Sequence, residues 1–352
     1  MRRLPIFFVL DVSESMLGEH LYQLEDGLSK IFDSLRTDPH ALETAWVSVI
    51  AFAGQVRKLI PLTELTSVST PNLPVGGGTS LGRALNFLMD ELDSTVRKNT
   101  ADVKGDWKPL VFLITDGKST DDVTKAVQRW KDRYAGHITM VAISIGRAAD
   151  LRVLNQLTDA DKVLTLDDDS EAGFRRFITW VTQSVQARSR SVGDPTKEEK
   201  LPILDDSILK KLNLDKPLDL IDDSNAYFVS KCQKTKLPYV SRYEPANNPV
   251  EIPGSTISTT IYRLVGCYPV KNSYFEMSAE QPNVATVDST QLYGTPGCPH
   301  CGNPIGFAMC DCGNTFCIDG EGEQTCPWCK RTSNFSYMTE DSESIEITRA
   351  RG

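Results

Sequence analysis

The chain has 352 residues, too many for one ordinary hydrophobic core, so two or three domains are expected. Its hydrophobic content of 40% and charged content of 24% are those of a soluble globular protein. The net charge of −9 argues against non-specific nucleic-acid binding, because nothing would neutralise phosphates at large.

The opening MRRLPIFFVLD mimics the start of a signal peptide. The apolar run Ile6–Leu10 is too short for an h-region and no small-residue cleavage site follows, so it reads as a first strand. No stretch approaches the length needed to span a membrane. The chain therefore reads as cytoplasmic, where thiols stay reduced. Nine cysteines then point to metal rather than disulfides, and seven of them crowd between Cys298 and Cys329.

Residues 1–193 alternate between strand and helix patterns. Ile6–Leu10, Trp46–Phe52, Leu110–Ile114 and Ile138–Ile145 are apolar runs, mostly continuous, as strands buried on both faces are, and Val163–Leu166 is a weaker fifth. Val56–Ile60 follows so closely on Phe52 that it reads as an antiparallel edge strand. Leu21, Leu24, Leu28, Ile31, Phe32 and Leu35 share one helical face, as do Leu81, Ala84, Leu85, Leu88, Met89 and Leu92, then Val123, Val127, Trp130 and Tyr134. Phe174–Val185 predicts a closing helix. The pattern is that of an α/β, doubly wound, mostly parallel Rossmann-like sheet.

Such sheets bind ligands beyond the carboxyl ends of their strands. Asp11, Ser13 and Ser15 follow the first strand in DVSES. Thr79 lies in GGGTS before a helix, and Asp116 follows Leu110–Ile114 in TDG. Taken singly, these are ordinary helix caps and turns. Together they offer five oxygen ligands with no nearby His or Cys, which suits a hard cation such as Mg²⁺. Two carboxylates roughly cancel its charge and leave a position for an outside anionic oxygen.

DVSES, GGGTS and TDG resemble the metal-ion-dependent adhesion site of von Willebrand factor A domains. The resemblance covers roughly the first half of the chain. It implies that Asp11, Ser13, Ser15, Thr79 and Asp116 are the metal site, that an acidic side chain of a protein partner completes the coordination, and that the domain binds rather than catalyses. A haloacid-dehalogenase mechanism needs a second Asp where Ser13 stands. A P-loop needs a Lys that GGGTS lacks, and Gly-x-Ser-x-Gly is absent. His20, His40, His137 and His300 are scattered along the chain.

Residues 194–224 are charged and Pro-punctuated and read as a linker, with a short helix or docking segment around ILKKLNLDKPLDLI. Residues 225–297 read as β-rich, with Ala226–Lys231, Leu237–Tyr243 and Thr256–Cys267 as strands. Cys232 and Cys267 are lone cysteines, read as apolar packing unless either lends a thiolate to the metal region. Residues 298–338 form a small zinc-ribbon-like module. Its knuckles Cys298/Cys301 and Cys326/Cys329 make a complete tetrahedral sulfur set for Zn²⁺. Cys310, Cys312 and Cys317 either replace one outer pair or begin a second site with Cys267 or His300. Residues 339–352 are acidic and Ser/Thr-rich and read as a disordered tail.

CPHCG and CPWC, behind an A-type domain, resemble TerY-like proteins of bacterial tellurium-resistance-associated systems. That resemblance implies a non-enzymatic adaptor or scaffold in stress-type signalling, working with a Ser/Thr protein kinase and a metal-dependent protein phosphatase. The alternatives are a metal-dependent phosphohydrolase, with Asp11 and Asp116 flanking the cation, and a nucleic-acid-binding zinc protein, which the net acidity disfavours.

Overall fold

The computed structural model describes residues 2–102, 104–145, 151–159, 162–166, 171–191, 209–211, 225–252, 255–280, 285–337 and 344–350. The chain divides into two compact units, Met1–Pro74 with Thr79–Asp219, and Val75–Gly78 with Leu220–Gly352.

In the first unit the elements run β1 (Leu4–Asp11), α1 (Glu19–Arg36), α2 (Pro39–Thr44), β2 (Ala45–Phe52), β3 (Val56–Glu64), α3 (Leu81–Thr95), β4 (Leu110–Thr115), α4 (Thr124–Arg133), β5 (Thr139–Ile145), α5 (Leu151–Leu154), β6 (Val163–Leu166), α6 (Glu171–Ser191) and β7 (Leu209–Lys211). Among the described residues the strands form one sheet in the order β3-β2-β1-β4-β5-β6-β7. β1 is parallel to both β2 and β4. β3 and β7 are antiparallel to their neighbours at the edges.

Burial on both faces explains the near-continuous apolar runs: all eight residues of β1 are buried. Phe7 and Val9 point into a cluster with Leu85 and Leu88 of α3 and Trp130 of α4. Phe8, one residue out of phase, stacks on Phe112 at 5.4 Å and meets Phe32 of α1 edge-on at 6.1 Å. This is the doubly wound sheet the strand and helix periodicities predict.

The linker expected over 194–224 contains an ordered strand. Leu209–Lys211 pairs antiparallel with β6, Leu166 opposite Leu209. Composition hid it, because three residues such as Leu-Lys-Lys carry no periodicity, yet they satisfy the free edge of β6. The rest of that linker lies outside the described residues.

In the second unit follow β8 (Ala226–Lys231), β9 (Pro238–Ile252), β10 (Ser255–Pro269), α7 (Ser273–Met277), β11 (Thr286–Asp288), β12 (Leu292–Tyr293), β13 (Ile305–Met309), β14 (Thr315–Ile318), β15 (Gly322–Thr325), β16 (Thr332–Phe335) and β17 (Glu346–Thr348). The main sheet runs β12-β10-β9-β8-β14-β13, with separate pairs β11-β17 and β15-β16. The expected boundary at 297/298 therefore cuts through one sheet. β14 lies parallel to β8, Thr315 opposite Ser230 and Phe316 opposite Lys231. All four residues of β14 are buried, so the strand needs a neighbour on each side, and β8 supplies the one that the cysteine-rich segment lacks.

The disordered tail expected over 339–352 is also corrected in part. Glu346–Thr348 pairs antiparallel with β11, and Ile347 is buried in a cluster with Phe228, Tyr243 and Val287. One apolar side chain with a sheet edge to pair with outweighs the acidic composition around it. Residues 339–343 and 351–352 of that segment lie outside the described residues. Among the described residues no helix is long and apolar enough to cross a membrane.

Candidate metal centres

The strand order reverses between β1 and β4. The chain steps from β1 outward through β2 and β3, then returns to lay β4 on the other side of β1. The carboxyl ends of these two strands thus open the crevice in which sheets of this type place their ligands. Asp11 ends β1 and is fully buried. Its Oδ1 accepts the Ser13 N–H at 2.9 Å, and its Oδ2 accepts the Thr115 hydroxyl at 2.6 Å. Burial pushes its carboxyl up to about 6, although the Ser13 and Thr115 hydrogen bonds work in the opposite direction.

From Asp11 the polar chain continues outward. The Ser13 and Ser15 hydroxyls are 2.9 Å apart, and Ser15 donates to Asp116 Oδ1 at 2.7 Å. Thr79 arrives from the loop before α3. Gly78, just ahead of it, has φ of 96°, a left-handed conformation that suits glycine. A Cβ built on Gly117 would sit 3.3 Å from Thr79 Oγ1 and 3.9 Å from Ser15 Oγ, so both hydroxyls crowd the same glycine. Asp11, Ser13 and Thr79 are buried, Asp116 is 7% exposed and Ser15 is half-buried, so the group opens to solvent on the Ser15 side.

These five residues offer two carboxylates and three hydroxyls, with oxygen as the sole donor element, and that chemistry fits a hard divalent cation. The Ser13 and Ser15 hydroxyls now pair with each other. A cation would take their lone pairs and leave their hydrogens for the carboxylates. Thr115 belongs to this site as a holder of Asp11. In the sequence it is an ordinary threonine between the apolar run Leu110–Ile114 and Asp116.

The cysteines do not assemble as the outer-knuckle set. Cys298, Cys301, Cys326 and Cys329 divide between two clusters: Cys232 with Cys298, Cys301 and Cys317, and Cys310 with Cys312, Cys326 and Cys329. Within each, the four sulfurs lie within 4.8 Å of one another. A Zn²⁺ with bonds of about 2.3 Å needs tetrahedral sulfurs ~3.8 Å apart. The Cys301–Cys317 and Cys310–Cys329 separations are 3.7 Å and Cys312–Cys326 is 3.9 Å. Both donor sets fit that ion.

Cys232 is the eighth thiol, which completes a second set of four beside the seven clustered ones. Neither Cys267 nor His300 fills that place. His300 Nε2 pairs with the Pro238 carbonyl at 2.8 Å. Cys267 packs beside the first cluster, and burial pushes its thiol up to about 11. The local turn shows why Cys232 qualifies. In the knuckles, the N–H of Gly302 returns to Cys298 O and that of Lys330 to Cys326 O, each at 3.0 Å, with left-handed φ of 76° and 67°. Lys236 does the same to Cys232 O at 2.9 Å with φ of 63°. Residues 232–236 are thus a third knuckle in which Thr235 replaces the second cysteine. Its N–H points at Cys232 Sγ at 3.3 Å. Burial opposes ionisation of Cys232, but the hydrogen bonds from Thr235, with those from Cys301 and the Lys234 N–H, outweigh it and bring the thiol down to about 6. The sequence signal was Cys-x-x-Thr, one residue short of the familiar pattern.

Residues 6–177 match the von Willebrand factor type A domain model, and residues 222–352 match the TerY-C metal binding domain model. Matrilin-3 of Gallus gallus is 28% identical over 153 residues, which cover 42% of this chain and 32% of that protein. The chain spans 32%, 28% and 17% of the lengths of the first three curated relatives. Among solved structures, a von Willebrand factor type A protein from Catenulispora acidiphila aligns at 18% identity and a TM-score of 0.37, over 53% of this chain and 43% of its own. Proximal thread matrix protein 1 from the mussel byssus, with a zinc-occupied MIDAS motif, aligns at 20% identity and a TM-score of 0.39, over 52% of this chain and 48% of its own.

Proposed function

We propose that this chain, a von Willebrand factor type A domain followed by a TerY-C metal binding domain, is a non-enzymatic, metal-dependent scaffold. Asp11, Ser13, Ser15, Thr79 and Asp116 would hold Mg²⁺, and an acidic side chain of a protein partner would fill the position left on the solvent side. The observation that carries this reading is the convergence of oxygen donors from three loops at the switch point of the sheet, with Ser15 at the open edge. The bound cation supplies a Lewis-acidic anchor for that carboxylate. The protein's own groups hold its ligands and keep Asp11 away from water. Ser13 stands where a phosphatase of the haloacid-dehalogenase type would need its proton-donating Asp, which supports binding over turnover.

The two four-cysteine clusters would each hold a structural Zn²⁺. Four protein ligands leave no open position, so their role is to fold the second unit. Eight thiols poised for metal also support a reducing, cytoplasmic setting. The partner we propose is a Ser/Thr protein kinase or a metal-dependent protein phosphatase of a tellurium-resistance or stress-type signalling system, on the resemblance of CPHCG and CPWC to the TerY-like group. The test is affinity capture from the native host with Mg²⁺ or with chelator. Wild-type protein is expected to retain a kinase or phosphatase in Mg²⁺ alone, and Asp11→Ala with Ser13→Ala to lose it. Equal retention by the double variant would refute the scaffold reading.

A further inference from the structure

Four of the five oxygen-bearing residues lie at or just past the carboxyl ends of strands β1 and β4, which pair directly, whereas Thr79 comes from a separate loop. Something must set that loop against the other two. The backbone of Thr79 is held on both sides by one residue: its N–H donates to the Thr120 hydroxyl at 3.0 Å, and its carbonyl accepts the Thr120 N–H at 2.8 Å. The Ser119 hydroxyl reaches the same carbonyl at 3.3 Å. Asp121 extends the grip to α3. Its two carboxylate oxygens accept the N–H groups of Gly82 and Arg83, each at 2.9 Å, and Ser119 braces Oδ1 at 2.7 Å.

The start of α3 explains why this grip is needed. Ser80 stands at the N-cap but makes no capping bond, and its hydroxyl goes instead to the Gly54 carbonyl at 3.1 Å. The first-turn N–H groups would otherwise lack a side-chain acceptor. Asp121 supplies it from 39 residues away in sequence. The fit is close: a Cβ on Gly82 would lie 2.6 Å from the Asp122 carbonyl oxygen.

We propose that Ser119, Thr120 and Asp121 are positioning residues for the cation site, acting through Thr79. They lock the loop that carries Thr79 to the loop that carries Asp116, so that the Thr79 hydroxyl is fixed beside Gly117 before a cation arrives. This rests on the reading of the five oxygens as a cation site.

The test is calorimetric titration of the full-length chain with Mn²⁺, alongside the melting temperature of the metal-free protein. Thr120→Val should bind Mn²⁺ about tenfold more weakly, the lower end of the usual cost of removing a group that orients a ligand. Thr120→Ser, which restores the hydroxyl without the methyl, should bind as wild type does. Asp121→Asn should weaken binding in the same direction. Wild-type affinity in Thr120→Val, or an equal loss in Thr120→Ser, would overturn the clamp, the latter by assigning the effect to packing. Should Thr120→Val fail to fold, Asp121→Asn decides by the same criterion. Failure of wild-type protein itself to bind Mn²⁺ would instead remove the cation site.

Discussion

Ser15 donates its hydroxyl hydrogen to Asp116 at 2.7 Å, joining two loops that are 101 residues apart in sequence. The bond makes the two residues one unit: the hydroxyl's hydrogen goes to the carboxylate, which leaves its oxygen to accept from Ser13, 2.9 Å away. Groups that act together lose their function together. Ser15→Ala and Asp116→Ala should each weaken Mg²⁺ binding by about tenfold or more, and the double variant by less than the product of the two. Calorimetry on the four proteins of this cycle would expose strict additivity, which the shared bond does not allow.

Asp11 should make cation binding pH-dependent. Burial raises its carboxyl to about 6, above the ordinary 3.8. The sign follows from linkage. The neutral form suits the metal-free fold, so this group's contribution to stability is full below about pH 4 and is lost as pH rises through about 6. A divalent cation needs the ionised form. Thermal stabilisation by Mg²⁺ should therefore be small at pH 5 and larger at pH 7, and Asp11→Asn should flatten the metal-free curve across that window. A metal-induced shift that is the same at both pH values would contradict this role.

The two cysteine clusters predict a zinc count. Wild-type protein should carry two Zn²⁺, one for each four-sulfur set. Cys232→Ser should bring the count to about one, because it breaks only the first set, and should lower the unfolding temperature of the second unit. Cys267→Ser, which alters a neighbour outside both sets, should keep two. Elemental analysis of the purified variants reads this directly. Loss of zinc in Cys267→Ser with retention in Cys232→Ser would reverse the ligand assignment.

Gly117 tests the packing of the oxygen site. The methyl group of Gly117→Ala would stand 3.3 Å from Thr79 Oγ1, closer than such contacts usually are. Thr79 would have to shift away from Gly117. The expected result is weaker Mg²⁺ binding with a nearly unchanged metal-free melting temperature. Full affinity in this variant would mean that Thr79 does not need its present position.

The first unit was legible because its strands are buried on both faces, so burial alone writes apolar runs, and its helices repeat every three to four residues. DVSES and TDG are legible as polar residues placed just after apolar strands, and GGGTS as a glycine run just before a helix. Thr115 was invisible, since a threonine ending a strand is ordinary until its hydroxyl is seen on Asp11. Spacing within the cysteine-rich segment suggested one outer set. The two spatial clusters interleave, because β13 and β14 fold back between the knuckles and Cys232 enters from β8 through the register of β14. Such long-range pairing leaves no local mark. Ile347 and Leu209 were missed likewise, each a short strand whose partner, not its composition, decides its structure.

The most direct test is diffraction from crystals grown with Mn²⁺, recorded at the manganese absorption edge. The account predicts a single anomalous peak in the first unit, bonded to oxygens of Ser13, Ser15 and Thr79 and flanked by Asp11 and Asp116. A peak ligated by other residues, or none at these oxygens in crystals that contain bound manganese, would contradict it.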